Sequence, residues 1–137
     1  MIKNVAHVCI KTRDLARTED FYCGALGLEK AFNFVERGEV IGFYLKAAGE
    51  SFIEVFCDPN VGSPNESRML HHFCFETDAI ESLRRTLLEG GYSPREIIMG
   101  ADHTPQFWVT DPNGIEIEVQ QYTAESTQRT GKDVALK

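Results

Sequence analysis

Residues 111–121, Asp-Pro-Asn-Gly-Ile-Glu-Ile-Glu-Val-Gln-Gln, predict a tight turn followed by a half-buried β-strand. Pro112 fixes its own φ, and Asn113 and Gly114 tolerate positive φ, which together favour a turn. The next residues alternate between an apolar face (Ile115, Ile117, Val119) and a polar face (Glu116, Glu118, Gln120). The apolar face predicts a core beneath the strand. The two carboxylates of the other face are either solvated or held for a chemical purpose.

The composition is that of an ordinary soluble globular chain. The 137 residues, 42% hydrophobic and 26% charged, suffice for one compact unit or two small paired ones. The net charge of −7, without a basic cluster, argues against nucleic acid as a partner. No apolar run approaches the length of a membrane span, and Met1-Ile2-Lys3-Asn4 leads into no signal-peptide core. The four cysteines lack CxxC spacing, so we expect reduced thiols and a cytoplasmic location.

The chain follows a β-α-β-β-β order twice. In the first pattern we expect strands over 4–11, 28–34, 40–46 and 51–56, and a helix over 15–26 with Thr12 or Asp14 as its N-cap and Gly27 after its end. In the second pattern we expect strands over 70–76, within 93–99, over 106–110 and over 115–122, and a helix over 80–88 capped by Thr77 or Asp78. Residues 57–69, which carry Pro59, Gly62 and Pro64, predict a linker.

The two patterns form an internal repeat. His7-Val-Cys-Ile and His72-Phe-Cys-Phe have the same form 65 positions apart, and Phe52-Ile-Glu-Val matches Glu116-Ile-Glu-Val with a shift of 64. One loop deletion explains the change of offset. The repeat predicts an α+β fold of two modules, at about 2–57 and 69–123, within a single domain over 1–123. Residues 124–137 predict a polar, loose C-terminal tail.

Each repeat offers one histidine on its first strand and one glutamate on its last strand. If these strands are neighbours and the modules pair about a pseudo-twofold axis, His7, Glu54, His72 and Glu118 come together. Two neutral imidazoles and two carboxylates suit a divalent cation. Taken singly, each side chain could instead be solvated or hydrogen-bonded, but four matching positions in a repeat favour a metal site.

Residues 2–122 resemble the vicinal oxygen chelate superfamily, which includes glyoxalase I, methylmalonyl-CoA epimerase, extradiol dioxygenases and bleomycin- and fosfomycin-resistance proteins. The resemblance is carried by the His7 strand, the Asp14-Leu15 to Gly27-Leu28 segment with Phe21-Tyr22, Phe52-Ile-Glu-Val, His72-Phe-Cys-Phe and Asp111-Pro-Asn-Gly…Glu118. It implies two tandem βαβββ modules whose curved mixed sheets surround a metal-binding cleft. It also implies one divalent metal ion per site (Zn, Ni, Co, Mn or Fe). Because each module alone leaves a concave sheet with unpaired edges, we expect a homodimer, in which the modules pair either within the chain or across chains.

The four ligand positions are similar to those of glyoxalase I. The epimerase usually has Gln where Glu54 stands, the dioxygenases use only two His and one Glu, and bleomycin-type binding proteins have generally lost the ligands. The resemblance therefore implies a metal-dependent isomerase or lyase of the glyoxalase I (lactoylglutathione lyase-like) type acting on a small oxygenated substrate. Lys11 stands where that enzyme has an Arg, and the loop 100–105 lacks a Lys often found there, which argues against glutathione.

Three alternatives remain open at this point. They are an Fe(II) extradiol-type dioxygenase using His7, His72 and Glu118, an epimerase like the methylmalonyl-CoA enzyme, and a non-catalytic protein that sequesters a ligand as bleomycin-resistance proteins do.

In the isomerase or lyase reading, Glu54 or Glu118 is the catalytic base that moves a proton next to a carbonyl or hydroxyl group. The candidate substrate-binding residues are Lys11, Cys9, Cys74, Phe52, Phe56, His103 and Trp108. Either Phe107 or Trp108 should face the cleft from the penultimate strand. Glu116 shares the face of Glu118, and His71 is expected to point away from His72 and to be structural.

Overall fold

The computed structural model describes residues 1, 4–62 and 70–136 and divides the chain into two compact units, Met1–Glu66 and Ser67–Lys137. Each unit contains a four-stranded mixed sheet that is curved but not closed, which confirms the predicted α+β fold class. Of the predicted linker over 57–69, residues 63–69 lie outside the described residues, as do residues 2 and 69, which bound the predicted modules.

The first unit contains β1 (His7–Thr12), α1 (Leu15–Glu19) continuing as a π-helix (Asp20–Ala25), β2 (Glu29–Glu36), β3 (Glu39–Ala48) and β4 (Ser51–Cys57). The strand order is β1-β4-β3-β2, with β1 parallel to β4 and the other pairs antiparallel. The first and last strands of the repeat are therefore neighbours, as predicted. This pairing places side chains from the two ends of the unit on one surface.

The helical segment of the first unit begins where the sequence predicts. The Asp14 carboxylate accepts a hydrogen bond from the backbone N–H of Arg17 at 3.0 Å, which is the role of an N-cap. The second half winds as a π-helix instead of the predicted α-helix, and the Leu26 N–H bonds to the Phe21 carbonyl five residues earlier at 2.9 Å. The wider turn accompanies complete burial of the adjacent rings of Phe21 and Tyr22.

The core of the first unit lies on one face of its sheet. The alternation along β1, β3 and β4 buries one parity of side chains together with the rings of the helical segment (Ile10, Thr12, Phe43, Leu45, Ile53, Val55, Phe21, Tyr22). Burying apolar area is the main favourable term in folding, at about 25 cal/mol per Å². The opposite parity, which includes His7, Cys9 and Lys11 on β1, is left on the other face and is exposed on that strand.

The second unit contains β5 (His72–Glu76), α2 (Ile80–Glu89), β6 (Ile98–Met99), β7 (Pro105–Thr110), β8 (Glu116–Gln120) and α3 (Thr127–Thr130). Its strand order, β5-β8-β7-β6, repeats that of the first unit. The predicted turn before β8 is confirmed, because the Asp111 carboxylate accepts from the N–H groups of Asn113 and Ile115, each at 2.8 Å. Ile117 and Val119 are fully buried, as their parity predicts.

Residues 124–130 of the predicted C-terminal tail contain a buried serine and a short helix. Ser126 is fully buried and its hydroxyl accepts from the Thr123 N–H at 2.9 Å, just before α3. Gln128 of α3 donates to the Asp102 carboxylate at 2.6 Å and accepts from the Thr104 hydroxyl at 3.1 Å. The segment is polar, and hydrogen bonds attach it to the rest of the second unit. In the part of the chain that the structure describes, none of the helices is both long and apolar enough for a membrane span.

Candidate metal and substrate site

His72 and Glu118 lie side by side in the second unit. β5 and β8 are parallel with Cys74 opposite Glu118, so Glu118 lies diagonal to His72 on the same face. The distance between His72 Nε2 and Glu118 Oε2 is 3.4 Å, and the Glu118 side chain is only 13% exposed. Two ligands of a tetrahedral zinc ion, each about 2.0–2.1 Å from the metal, stand roughly 3.3 Å apart. The pair therefore fits two adjacent positions of a coordination sphere.

A hydrogen bond at its other ring nitrogen orients His72. Nδ1 of His72 lies 2.8 Å from Nδ1 of His71, and the ring of Trp108 meets His72 edge-on with centroids 4.6 Å apart. The prediction that His71 points away from His72 is wrong, because β5 begins only at His72 and strand alternation does not govern the residue before it. Engaging Nδ1 leaves Nε2, the nitrogen beside Glu118, for a cation, which is the usual arrangement of a ligating histidine.

The first unit repeats this arrangement with a different partner for the imidazole. Cys9 is opposite Glu54 across β1 and β4, so His7 and Glu54 share a face and a diagonal register like that of His72 and Glu118. The Tyr44 hydroxyl lies 3.1 Å from His7 Nδ1, and Tyr44 is opposite Glu54 across β3 and β4. The sequence predictions omit Tyr44.

A signal for Tyr44 does exist in the sequence. Tyr44 precedes Trp108 by 64 positions, the same offset that relates Glu54 to Glu118. Trp108 is opposite Glu118 across β7 and β8, whereas Phe107 is fully buried on the other face. The structure thus assigns Trp108, and not Phe107, to the face of the candidate site.

A cysteine thiol accompanies each glutamate. Cys74 is partly exposed, but partial desolvation of its thiol, then the charge of Glu118 and a hydrogen bond to it, raise the pKa from 9.0 to about 12. Desolvation and a hydrogen bond to Glu54 likewise raise the pKa of Cys9. Both thiols are therefore protonated at neutral pH. They can donate to the carboxylates but are not poised as nucleophiles.

Glu118 is also held by a chain of amide and carboxylate groups. Gln120, only 6% exposed, donates from Nε2 to Glu118 Oε1 and to Asp102 Oδ2, each at 3.1 Å. Gln128 of α3 donates to the same Asp102 oxygen at 2.6 Å. Sequence reasoning missed this network because it joins a loop, a strand and the C-terminal segment, which are remote in the chain.

Aromatic side chains fill much of the face around Glu54. The predicted wall residues Phe52 and Phe56 are joined by Phe32, Phe34 and Tyr44, which the sequence analysis did not single out. Tyr44 stacks on Phe32 and on Phe52 with centroids 4.9 and 5.0 Å apart, and Phe34 stacks on Phe56 at 4.5 Å. These rings form one continuous surface, which we call the aromatic face (Phe32, Phe34, Tyr44, Phe52, Phe56).

The remaining predicted residues lie in different surroundings. Lys11 Nζ is 5.7 Å from the centroid of the Phe56 ring, so its cation lies beside the aromatic face. His103 is exposed and has a positive φ of 58°. Glu116 accepts from Arg95 at 3.2 Å and from the Thr110 hydroxyl at 2.8 Å, which gives it a structural role.

Each unit thus contains one His–Glu pair of the predicted set of four ligands. Among residues 1, 4–62 and 70–136, no group of three or more His, Cys, Asp or Glu side chains is arranged to hold a metal ion. A pair alone is half of a usual coordination sphere. The predicted four-ligand set therefore stays a prediction.

The chain belongs to the Glyoxalase/Bleomycin resistance protein/Dioxygenase superfamily, whose family model matches residues 4–119. This family includes enzymes and is the one that the sequence resemblance indicated. No curated protein matches the sequence.

Solved structures of the same fold have low sequence identity to this chain. A glyoxalase family protein from Enterococcus faecalis is 24% identical with a TM-score of 0.74, over 86% of this chain and 97% of that chain. A glyoxalase/dioxygenase from Nostoc punctiforme is 14% identical with a TM-score of 0.72, over 88% and 92%. An antibiotic binding protein from Streptomyces sp. CB03234 is 16% identical with a TM-score of 0.73, over 89% and 98%. At these identities the similarity establishes the fold alone.

Proposed function

We propose that the protein is a divalent-metal-dependent isomerase or lyase that moves a proton next to a carbonyl or hydroxyl group of a small oxygenated substrate. The observation that carries the proposal is the His72–Glu118 pair, with Nε2 and Oε2 3.4 Å apart, together with its counterpart His7 and Glu54 in the same register. In this proposal, the side chains that would hold one ion are those of His7, Glu54, His72 and Glu118. When bound, the cation supplies electrostatic stabilisation of the negative charge that develops on the substrate oxygen.

The two glutamates differ in how firmly they are held. Glu118 accepts a hydrogen bond from Gln120 at 3.1 Å and lies 3.4 Å from His72 Nε2, so its carboxylate is held in one position. Glu54 accepts from the Cys9 thiol and lies beside the aromatic face. Glu54 is therefore the first candidate for the base that removes the proton and returns it at the neighbouring carbon, and Glu118 is the more rigid ligand.

Proton exchange with solvent provides the test. Metal-loaded protein is incubated in D₂O with a panel of α-hydroxy and α-keto compounds, and loss of the C–H signal is followed by NMR. Glu54→Gln should slow exchange by about 10²- to 10⁴-fold, the usual contribution of a general base. Glu50→Gln, which changes an exposed carboxylate in the turn between β3 and β4, should leave the rate unchanged.

Two outcomes would count against this function. Full exchange in Glu54→Gln and in Glu118→Gln, with metal still bound, would exclude both carboxylates as bases. An activity that requires oxygen and reduced iron and survives Glu54→Ala would instead identify a dioxygenase that uses His7, His72 and Glu118.

A homodimer in the cytoplasm is a further part of the proposal, supported by the open edges of the two sheets and by four cysteines without CxxC spacing. Sedimentation velocity of the intact protein tests the dimer, which should have about twice the mass of the 15.4 kDa chain. A single species at the mass of one chain would contradict it.

A further inference from the structure

The aromatic face is unusual in where it lies. A sheet normally buries its aromatic rings against the core, but these rings are on the face opposite to the core of the first unit. Phe32 is 49% exposed, and Phe34, Tyr44, Phe52 and Phe56 are only partly buried. Exposed apolar surface of this kind usually marks a binding site, because covering it recovers the hydrophobic free energy.

The backbone is shaped to bring the rings together. Phe34 is opposite Gly42 across β2 and β3, and Gly42 is opposite Phe56 across β3 and β4. Because Gly42 has no side chain, Phe34 and Phe56 can stack over it with centroids 4.5 Å apart, although they belong to strands that are not neighbours. The result is a nearly continuous aromatic surface across three strands.

Polar groups within and beside this surface define what can bind. Glu54 and the His7–Tyr44 pair lie within it, and the ammonium group of Lys11 lies 5.7 Å from the Phe56 ring centroid. Charged residues are depleted from the core of protein–protein interfaces, which argues against a second protein as the occupant. Apolar walls with a few placed polar groups are instead typical of a small-molecule site.

We propose that the aromatic face binds a planar aromatic small molecule that carries an anionic oxygen substituent, with the anion paired with Lys11. Because the rings of Phe32 and Phe34 are nearly perpendicular (81°), the ligand ring stacks on one of them and meets the other edge-on. Offset stacking on exposed rings provides affinity, and the cation selects the charged ligand. The inference deepens the proposed function, since it names the substrate class of that site, but the stacking itself does not require the metal.

The test uses 2-naphthoate and its uncharged analogue 2-naphthamide as probes of the full-length protein after treatment with a chelator. Calorimetric titration should give saturable binding of 2-naphthoate.

Phe32→Leu/Phe34→Leu should weaken that binding at least tenfold, and the single variant Phe32→Leu, at the most exposed ring, should weaken it measurably. Val35→Ala, which changes an apolar residue 61% exposed on the same strand, should stay within twofold of wild type. Lys11→Met should weaken 2-naphthoate about tenfold and leave 2-naphthamide unchanged.

Equal binding of 2-naphthoate by wild type and by Phe32→Leu/Phe34→Leu, with both proteins folded by circular dichroism, would overturn the proposal. A second combined result would also overturn it: the wild type binds no 2-naphthoate, and the double variant dissociates from dimer to monomer. A second copy of the chain would then cover the aromatic face. Failure of the proposed function has a different signature. A protein that binds 2-naphthoate through the aromatic face but exchanges no substrate proton in any metal-loaded state would retain this inference and lose the enzymatic one.

Discussion

At the residue scale, the ring nitrogens of the two histidines show what sequence alternation can and cannot predict. The parity of β1 and β5 predicted correctly that His7 and His72 leave the core face of their sheets. It could not predict what bonds to Nδ1, because Tyr44 reaches His7 from two strands away and His71 lies before the start of its strand. Only the spacing of the repeat, which relates Tyr44 to Trp108, pointed to one of these partners.

Removing the Tyr44 hydroxyl should weaken metal binding. In Tyr44→Phe, Nδ1 of His7 loses a partner at 3.1 Å, and the loss of such a partner typically costs 10- to 100-fold in metal affinity. Competition of zinc binding against a chromogenic chelator measures the change. The stacked ring of residue 44 is retained, so binding of 2-naphthoate to the metal-free protein serves as the control and should be unaffected. An unchanged zinc affinity would show that Tyr44 does not orient a ligand.

A methyl group at Gly42 should destabilise the protein. A Cβ at this position would overlap the Val55 carbonyl oxygen and lie 2.9 Å from Cδ1 of Phe56. Overpacking of this kind typically costs about 1–3 kcal/mol, so Gly42→Ala should lower the free energy of unfolding measured in urea by that amount. Gly24→Ala is the matched control, because a Cβ there meets no atom within 4 Å. Equal stability of Gly42→Ala and wild type would mean that the strands accommodate the methyl group.

At the scale of the elements, the strands were predicted better than the segments that depend on remote contacts. Apolar alternation and turn residues located β4 and β8 closely, since both signals are local. The predicted strand within 93–99 is reduced to Ile98–Met99, and the second half of the first helix winds as a π-helix. The C-terminal α3 escaped prediction because bonds to Asp102 and Thr104, and not an apolar stripe, hold it in place.

Removing α3 should therefore destabilise the second unit. Ending the chain after Tyr122 removes the three hydrogen bonds that Gln128 makes with Thr104, Asp102 and Gln120, each contributing about 0.5–1 kcal/mol at this exposed position, and uncovers Asp102. We expect the free energy of unfolding to fall by roughly 2 kcal/mol. Zinc binding should also weaken, because Asp102 loses its hydrogen bond from Gln128 and then holds Gln120, the neighbour of Glu118, less firmly. Ending the chain after Gly131 removes only residues that follow α3, of which 132–136 are exposed, and should change neither quantity. Equal stability of the two truncated chains would show that α3 is only loosely attached.

At the scale of the whole molecule, the two units keep one pattern of ligands and differ in what surrounds it. The first unit surrounds Glu54 with aromatic rings, whereas the second surrounds Glu118 with Gln120, Asp102 and Trp108. The repeat in the sequence predicted the shared histidines and glutamates. It could not predict this difference, because the residues that create it are not repeated between the units.

If the four ligands act together, the intact protein should bind one divalent ion per chain. Metal analysis of protein purified without an affinity tag, followed by zinc titration of the chelator-treated form, should give a ratio near one. A change in either unit, His7→Ala or His72→Ala, should reduce affinity strongly, because each leaves three of the four ligands. At zinc concentrations 100-fold above the dissociation constant, binding to the folded state should raise the free energy of unfolding by about 2.7 kcal/mol, and a chelator should remove that gain.

His103→Ala, at an exposed turn residue, is the matched control for the loss of an imidazole. Two ions per chain, each lost separately in one of the two histidine variants, would instead mean that the units bind metal independently, and the four-ligand centre would have to be abandoned.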